Sequence, residues 1–173
     1  MTSGHSRTAL TNDAVEVARE LVADLTRDSL TLAVAESLTG GLLASTIVSV
    51  PGASMCFRGG VVTYMTDTKA SVLGVSQDQL DATGPVDPTV AEQMARGVAE
   101  LFNADIGLST TGVAGPGPAD GHEAGTVVVG LYTPRGASSA VFHFDGQRQD
   151  VRSKSVLGAL CWVSENLTDT RHL

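Results

Sequence analysis

Apolar residues recur at helical spacing between Thr11 or Asn12 and about Thr26, with Val15, Ala18, Leu21, Val22 and Leu25 on one face. That stretch predicts a first helix, and Arg27-Asp28-Ser29 predicts a turn after it. The pattern then changes. Leu30 to Ala35 is a continuous apolar run, followed by the polar Glu36-Ser37-Leu38-Thr39 and the pair Gly40-Gly41, after which apolar spacing resumes at Leu42, Leu43, Ile47 and Val48. Strand, tight turn and helix follow from this order.

Further along, Val50-Pro51-Gly52 breaks the helix, and Phe57 through Tyr64 reads as a second strand. Thr66 and Asp67 are candidate caps for a short helix that carries Lys69 and ends near Gly74. Asp87-Pro88 pairs a cap residue with proline at the first helical position, opening a helix to about Phe102 with Val90, Met94, Val98 and Leu101 inward. Asp105 to Thr111 is a third strand. Gly112 to Pro118, too rich in glycine and proline for regular structure, opens a loop to about Ala124. Thr126 to Tyr132 and Ala137 to Phe144 form a hairpin across Thr133-Pro134-Arg135-Gly136. A last helix opens at Gly146 and runs to about Asn166, with Val151, Val156, Leu160 and Val163 inward. Strands interleaved with helices imply a three-layer α/β/α sandwich around a mixed, mostly parallel sheet. The expected organisation is a flexible N-terminus over 1–10, one domain over 11–168 and a tail over 169–173.

Composition narrows this picture. The chain has 173 residues, 42% of them hydrophobic and 17% charged, which fits one globular domain. Only 4% are aromatic, so Ala, Val and Leu must build the core. A net charge of −8 argues against nucleic acid or an anionic membrane as the main partner, while leaving room for a local anion site. Cys56 and Cys161 lack metal-ligand spacing and read as reduced thiols. No signal-like or membrane-spanning apolar stretch is present, so a cytoplasmic protein is the expectation. Apolar helices and an acidic surface are compatible with a homo-oligomer.

Candidate chemistry centres on Ser37. A hydroxyl at the end of a buried strand, beside a helix start, lies where α/β proteins bind ligands, although a lone serine there is more often a helix cap. No Walker loop, dinucleotide fingerprint, nucleophile elbow or β-lactamase motif surrounds it. His5, His122, His143 and His172 are too scattered to provide an obvious base. Lys69 is another candidate base, since a desolvated lysine loses its proton near neutrality; alone, it is a solvated helix residue. Tyr64 can relay a proton or simply half-bury on its strand. Glu36 can orient a hydroxyl or ammonium group, or cap. The Thr110-Thr111 strand end and the loop glycines Gly112, Gly115 and Gly117 can cradle an oxyanion or phosphate, or only turn the chain. Arg148 and Arg152, one helical turn apart, can clamp an anion or sit as surface charges.

Taken together, Ala35-Glu-Ser-Leu-Thr-Gly-Gly41, Val50-Pro-Gly52, Gly59-Gly-Val-Val-Thr-Tyr64 with Lys69, Leu73-Gly-Val75, Thr111-Gly-Val-Ala-Gly-Pro-Gly117, Gly125-Thr-Val127 and Gly146-Gln-Arg148 resemble the C-terminal domain of the CinA family. The resemblance covers about residues 12 to 167. Its stand-alone members are nicotinamide-nucleotide amidohydrolases, and the likeness implies hydrolysis of the carboxamide of nicotinamide mononucleotide without metal or organic cofactor. It implies Ser37 as nucleophile, with Tyr64 and Lys69 assisting. Glu36, Thr39, Gly40, Gly41, Thr111, Gly112, Gly115 and Gly117 are then expected to line the substrate, and Arg148 or Arg152 to meet its phosphate. Leu38 stands where many relatives have Cys, and Thr66 where Asn is common. A catalytically silent nucleotide-binding or interaction module is the alternative expectation.

Overall fold

Leu32, Val34 and their flanking alanines form an inner strand of the sheet, and their alternation explains the layers. In the computed structural model, which describes residues 7–168, β1 (Leu32–Glu36) is buried along its whole length. Leu32 and Val34 face a core shared with Ala18, Leu21 and Leu25 of α1 (Arg7–Arg27), Leu43 and Ile47 of α2 (Leu42–Val48), and Val156, Leu160 and Val163 of α6 (Arg148–Thr168). Ala33 and Ala35 point the other way, onto Leu73 of α3 (Thr66–Leu73), Leu80 of α4 (Gln77–Thr83), and Val90, Met94 and Val98 of α5 (Pro88–Phe102). Period-two alternation on a strand buried from both sides gives the expected three-layer sandwich.

The five strands lie in the order β2 (Phe57–Val62), β1, β3 (Ile106–Gly112), β4 (Thr126–Thr133), β5 (Gly136–His143). β1 pairs in parallel with β2 and β3, and the two pairings beyond are antiparallel. Four strands therefore run one way and β4 alone opposes them, which is the mixed sheet expected. Small residues let α5 approach closely. A Cβ on Gly107 would stand 1.8 Å from the Ala95 carbonyl oxygen, and one on Gly130 2.2 Å from that of Ala91. The Ser109 hydroxyl donates to the Ala91 carbonyl at 2.6 Å.

Several sequence expectations shift. The first helix begins at Arg7, upstream of Thr11, because Leu10 extends the buried stripe by one turn to Leu10, Ala14, Ala18. The expected flexible end is thus helical from Arg7 onward; positions 1–6, with His5, and 169–173, with His172, lie outside the described residues. Helix α3 is entered from Met65 in extended conformation, so Thr66 and Asp67 belong to its first turn and are not its caps. α4 was not anticipated: Ser76 caps it, yet its seven residues bury only Leu80, too little for a periodic signal. Leu101 is 51% exposed and does not face the core; Ala91 and Ala95 are buried on the inward face of α5. Val151, Val156, Leu160 and Val163 are buried as the spacing of α6 predicts. No helix among the described residues is long and apolar enough to cross a membrane.

Candidate active site

The C-terminal ends of the parallel strands meet at one edge of the sheet, where ligands bind in open α/β folds. Ser37 is held there by its own backbone, whose N–H donates to Thr110 O at 2.9 Å and prolongs the β1–β3 ladder past Glu36. The chain then turns sharply through Gly40 and Gly41, at φ 58° and 97°, left-handed conformations that suit glycine. Inside the turn, the hydroxyls of Thr39 and Thr110 lie 2.7 Å apart in a buried hydrogen bond.

Glu36 anchors the helix beyond the turn. Its Oε2 accepts from the N–H groups of Gly41 and Leu43, both at 3.0 Å, and its Oε1 from that of Ala44 at 2.8 Å. A buried carboxylate thus satisfies three donors at the start of α2, where the Gly41 cap has no side chain to do so. Arg152 braces the opposite side, with Nε donating to Leu38 O at 3.0 Å and Nη2 to Thr39 O at 2.8 Å. Ser37 therefore sits on a turn fixed from both flanks.

Lys69 reaches this turn from α3. Its side chain is 1% exposed, and Nζ donates to the Thr63 carbonyl at 2.8 Å and to Ser37 Oγ at 3.1 Å. Desolvation lowers the pKa of this amine to about 8, while the negative charge of Asp120 acts in the opposite sense. In its neutral form the amine can keep one N–H on Thr63 and turn its lone pair to the Ser37 hydroxyl, the arrangement a serine needs to be activated.

The pair opens into a cavity of about 310 Å³, lined by Ser37, Tyr64, Lys69, Thr111, Gly112, Gly115, Gly117 and Arg148 among the expected residues. Tyr64, 55% exposed, stands at its rim. Its hydroxyl accepts from Arg148 Nη2 at 2.7 Å instead of joining the Ser37–Lys69 pair, and Arg148 Nη1 donates to Gly115 O at 2.8 Å. The Thr111 hydroxyl donates to Pro85 O at 2.7 Å, tying the segment before α5 to the site. Glu36, Thr39, Gly40, Gly41 and Arg152, expected to touch substrate, lie outside this lining: their polar groups build the turn that carries Ser37. Pro85, Val86 and Asp120 line the cavity without having been singled out. The dipeptide Asp120-Gly121, a favoured tight-turn pair, was the available signal for the last of these.

The family model of the CinA C-terminal domain matches residues 14–167, spanning both the sheet and this cavity. The chain belongs to the CinA family. A CinA-like protein of Frankia casuarinae is 48% identical over 143 residues, covering 83% of this chain and 33% of that protein. A putative competence-damage inducible protein of Lactiplantibacillus plantarum is 46% identical over 145 residues, covering 83% and 34%. The chain spans about a third of the length of these curated relatives. Among solved structures, a competence-damaged protein (CinA) superfamily protein from Escherichia coli superposes with a TM-score of 0.85 at 35% identity, covering 89% of this chain and 91% of that one. A CinA superfamily protein from Klebsiella pneumoniae gives 0.87 at 29% identity, covering 90% and 98%. This CinA domain thus shares its α/β fold with solved members of the superfamily. Among its described residues, no cluster of three His, Cys, Asp or Glu side chains is placed to hold a metal.

Proposed function

We propose that this CinA-family chain is an amidohydrolase that converts nicotinamide mononucleotide and water to nicotinate mononucleotide and ammonia. The observation that carries the reading is the buried contact of 3.1 Å between Lys69 Nζ and Ser37 Oγ at the wall of a cavity that also holds Arg148. Lys69 takes the hydroxyl proton as Ser37 Oγ attacks the carboxamide carbon. The same proton then passes to the departing nitrogen, which leaves as ammonia when the C–N bond breaks. Water, deprotonated by the freed amine, cleaves the acyl-serine and releases the carboxylate. The Gly112–Gly117 loop faces the reacting carbonyl in this reading and offers backbone donors for the oxyanion, while Arg148 meets the phosphate.

Ammonia release from nicotinamide mononucleotide by the purified protein tests the proposal. Wild type should turn over and Ser37→Ala should not. If neither releases ammonia above background although calorimetry detects the mononucleotide, the domain is a nucleotide-binding module and not a hydrolase.

A further inference from the structure

Three charged side chains line the cavity: Lys69, Arg148 and Asp120. The first two have roles in the reaction proposed above, but the carboxylate does not. Its presence works against the base, because a negative charge near Lys69 favours the ammonium form and so lowers the fraction of amine able to accept the serine proton.

Asp120 is nonetheless presented by a defined piece of backbone. Ala119 and His122 exchange two backbone hydrogen bonds, Ala119 N–H to His122 O at 3.0 Å and His122 N–H to Ala119 O at 2.9 Å. Between them Asp120 and Gly121 both have positive φ, at 50° and 77°, which makes a two-residue hairpin turn of type I′. The carboxylate has no hydrogen-bond partner among the described residues, and its residue is exposed at the cavity wall. Nothing within the turn requires a charge there, since asparagine suits the same conformation.

We propose that Asp120 is a specificity-determining residue that selects a substrate whose reacting ring is cationic. This rests on the amidohydrolase reading, in which the ring is a pyridinium. Arg148 and Asp120 then give the cavity two poles that match the anionic phosphate and the positive ring of one molecule. A phosphate placed beside Asp120 is repelled, so the poles also fix the direction in which the nucleotide enters. Pairing of the ring with Asp120 offsets the negative charge that favours the ammonium form of Lys69. The reduced dihydropyridine form of the same mononucleotide has the same carboxamide and phosphate but no ring charge, and gains none of this.

The test compares calorimetric affinities of oxidised and reduced nicotinamide mononucleotide for Ser37→Ala, which cannot turn the ligand over, and for Ser37→Ala/Asp120→Asn. The serine variant should prefer the oxidised form by about five- to tenfold, as suits a partly exposed charge pair. The second substitution should reduce the ratio to within about twofold by weakening the oxidised form alone. Equal affinities in the serine variant, or a ratio unmoved by Asp120→Asn, overturn the proposal. Ammonia release by wild type is scored separately: an active enzyme without charge preference loses only this inference, and charge-selective binding without turnover loses only the hydrolase reading.

Discussion

Lys69 and Ser37 are joined by a buried hydrogen bond of 3.1 Å, although Lys69 comes from the helix after β2 and Ser37 from the turn after β1. The lysine has no carboxylate bonded to its amine; its partners are a hydroxyl and the Thr63 carbonyl. Burial with neutral partners is what brings the amine down to about 8.

The rate should therefore rise with pH. Only the neutral amine accepts a proton, so kcat/KM should climb through pH about 8 and level off above it. At pH 7 it should be roughly tenfold below the plateau, as one pH unit below a single ionisation requires. Lys69→Met should abolish that step and lower kcat by roughly 10²- to 10⁴-fold, the usual range for a general base. Initial rates from pH 6 to 9.5 check both, and a flat or falling wild-type profile counts against Lys69 as the base.

Glu36 is expected to matter for stability. Its two oxygens accept three backbone N–H groups at the start of α2. In Glu36→Gln one of those oxygens becomes an NH₂ group facing N–H donors, which leaves buried groups unsatisfied. The loss should be about 2–4 kcal/mol in urea denaturation, since charge-assisted bonds and buried orphaned donors both contribute. A loss under about 0.5 kcal/mol, the level of an ordinary surface change, would mean that the cap is dispensable.

The contrast between Glu36 and Lys69 shows what was legible in the sequence. Strand, turn and helix around Ser37 followed from apolar runs and glycines, and the inward stripe of α6 from its spacing, because those signals are local. Of the two readings of Glu36, orienting a ligand group or capping, the structure shows the cap, made from inside the preceding strand five to eight residues before its donors, a distance longer than a local capping pattern. Leu101 was misplaced because one apolar residue late in a helix does not fix its phase, and α4 was missed because it buries one leucine. Asp120 lies in the Ala119–His122 turn, where Asp-Gly signals the turn but does not say which side chain of the loop lines the cavity.

Arg148 and Arg152 read identically in the sequence but should behave differently. Four residues along a helix displace a side chain by about 6 Å along its axis. That is enough to put Arg148 at the cavity and Arg152 on the carbonyls of the Ser37 turn. Arg148→Met should raise KM for the mononucleotide about 10- to 100-fold, the weight of a charge-assisted phosphate contact. It should leave KM for the corresponding nucleoside, which lacks the phosphate, within about threefold; that allowance covers the anchoring of Tyr64 and Gly115, also lost with this side chain. Arg152→Met should instead lower stability by about 1–3 kcal/mol, because two turn carbonyls lose their donors, and reduce kcat for nucleotide and nucleoside alike. Kinetics on both substrates with urea denaturation of both variants separate the two roles. If the nucleotide-to-nucleoside ratio moves equally in the two variants, Arg148 is not the phosphate contact.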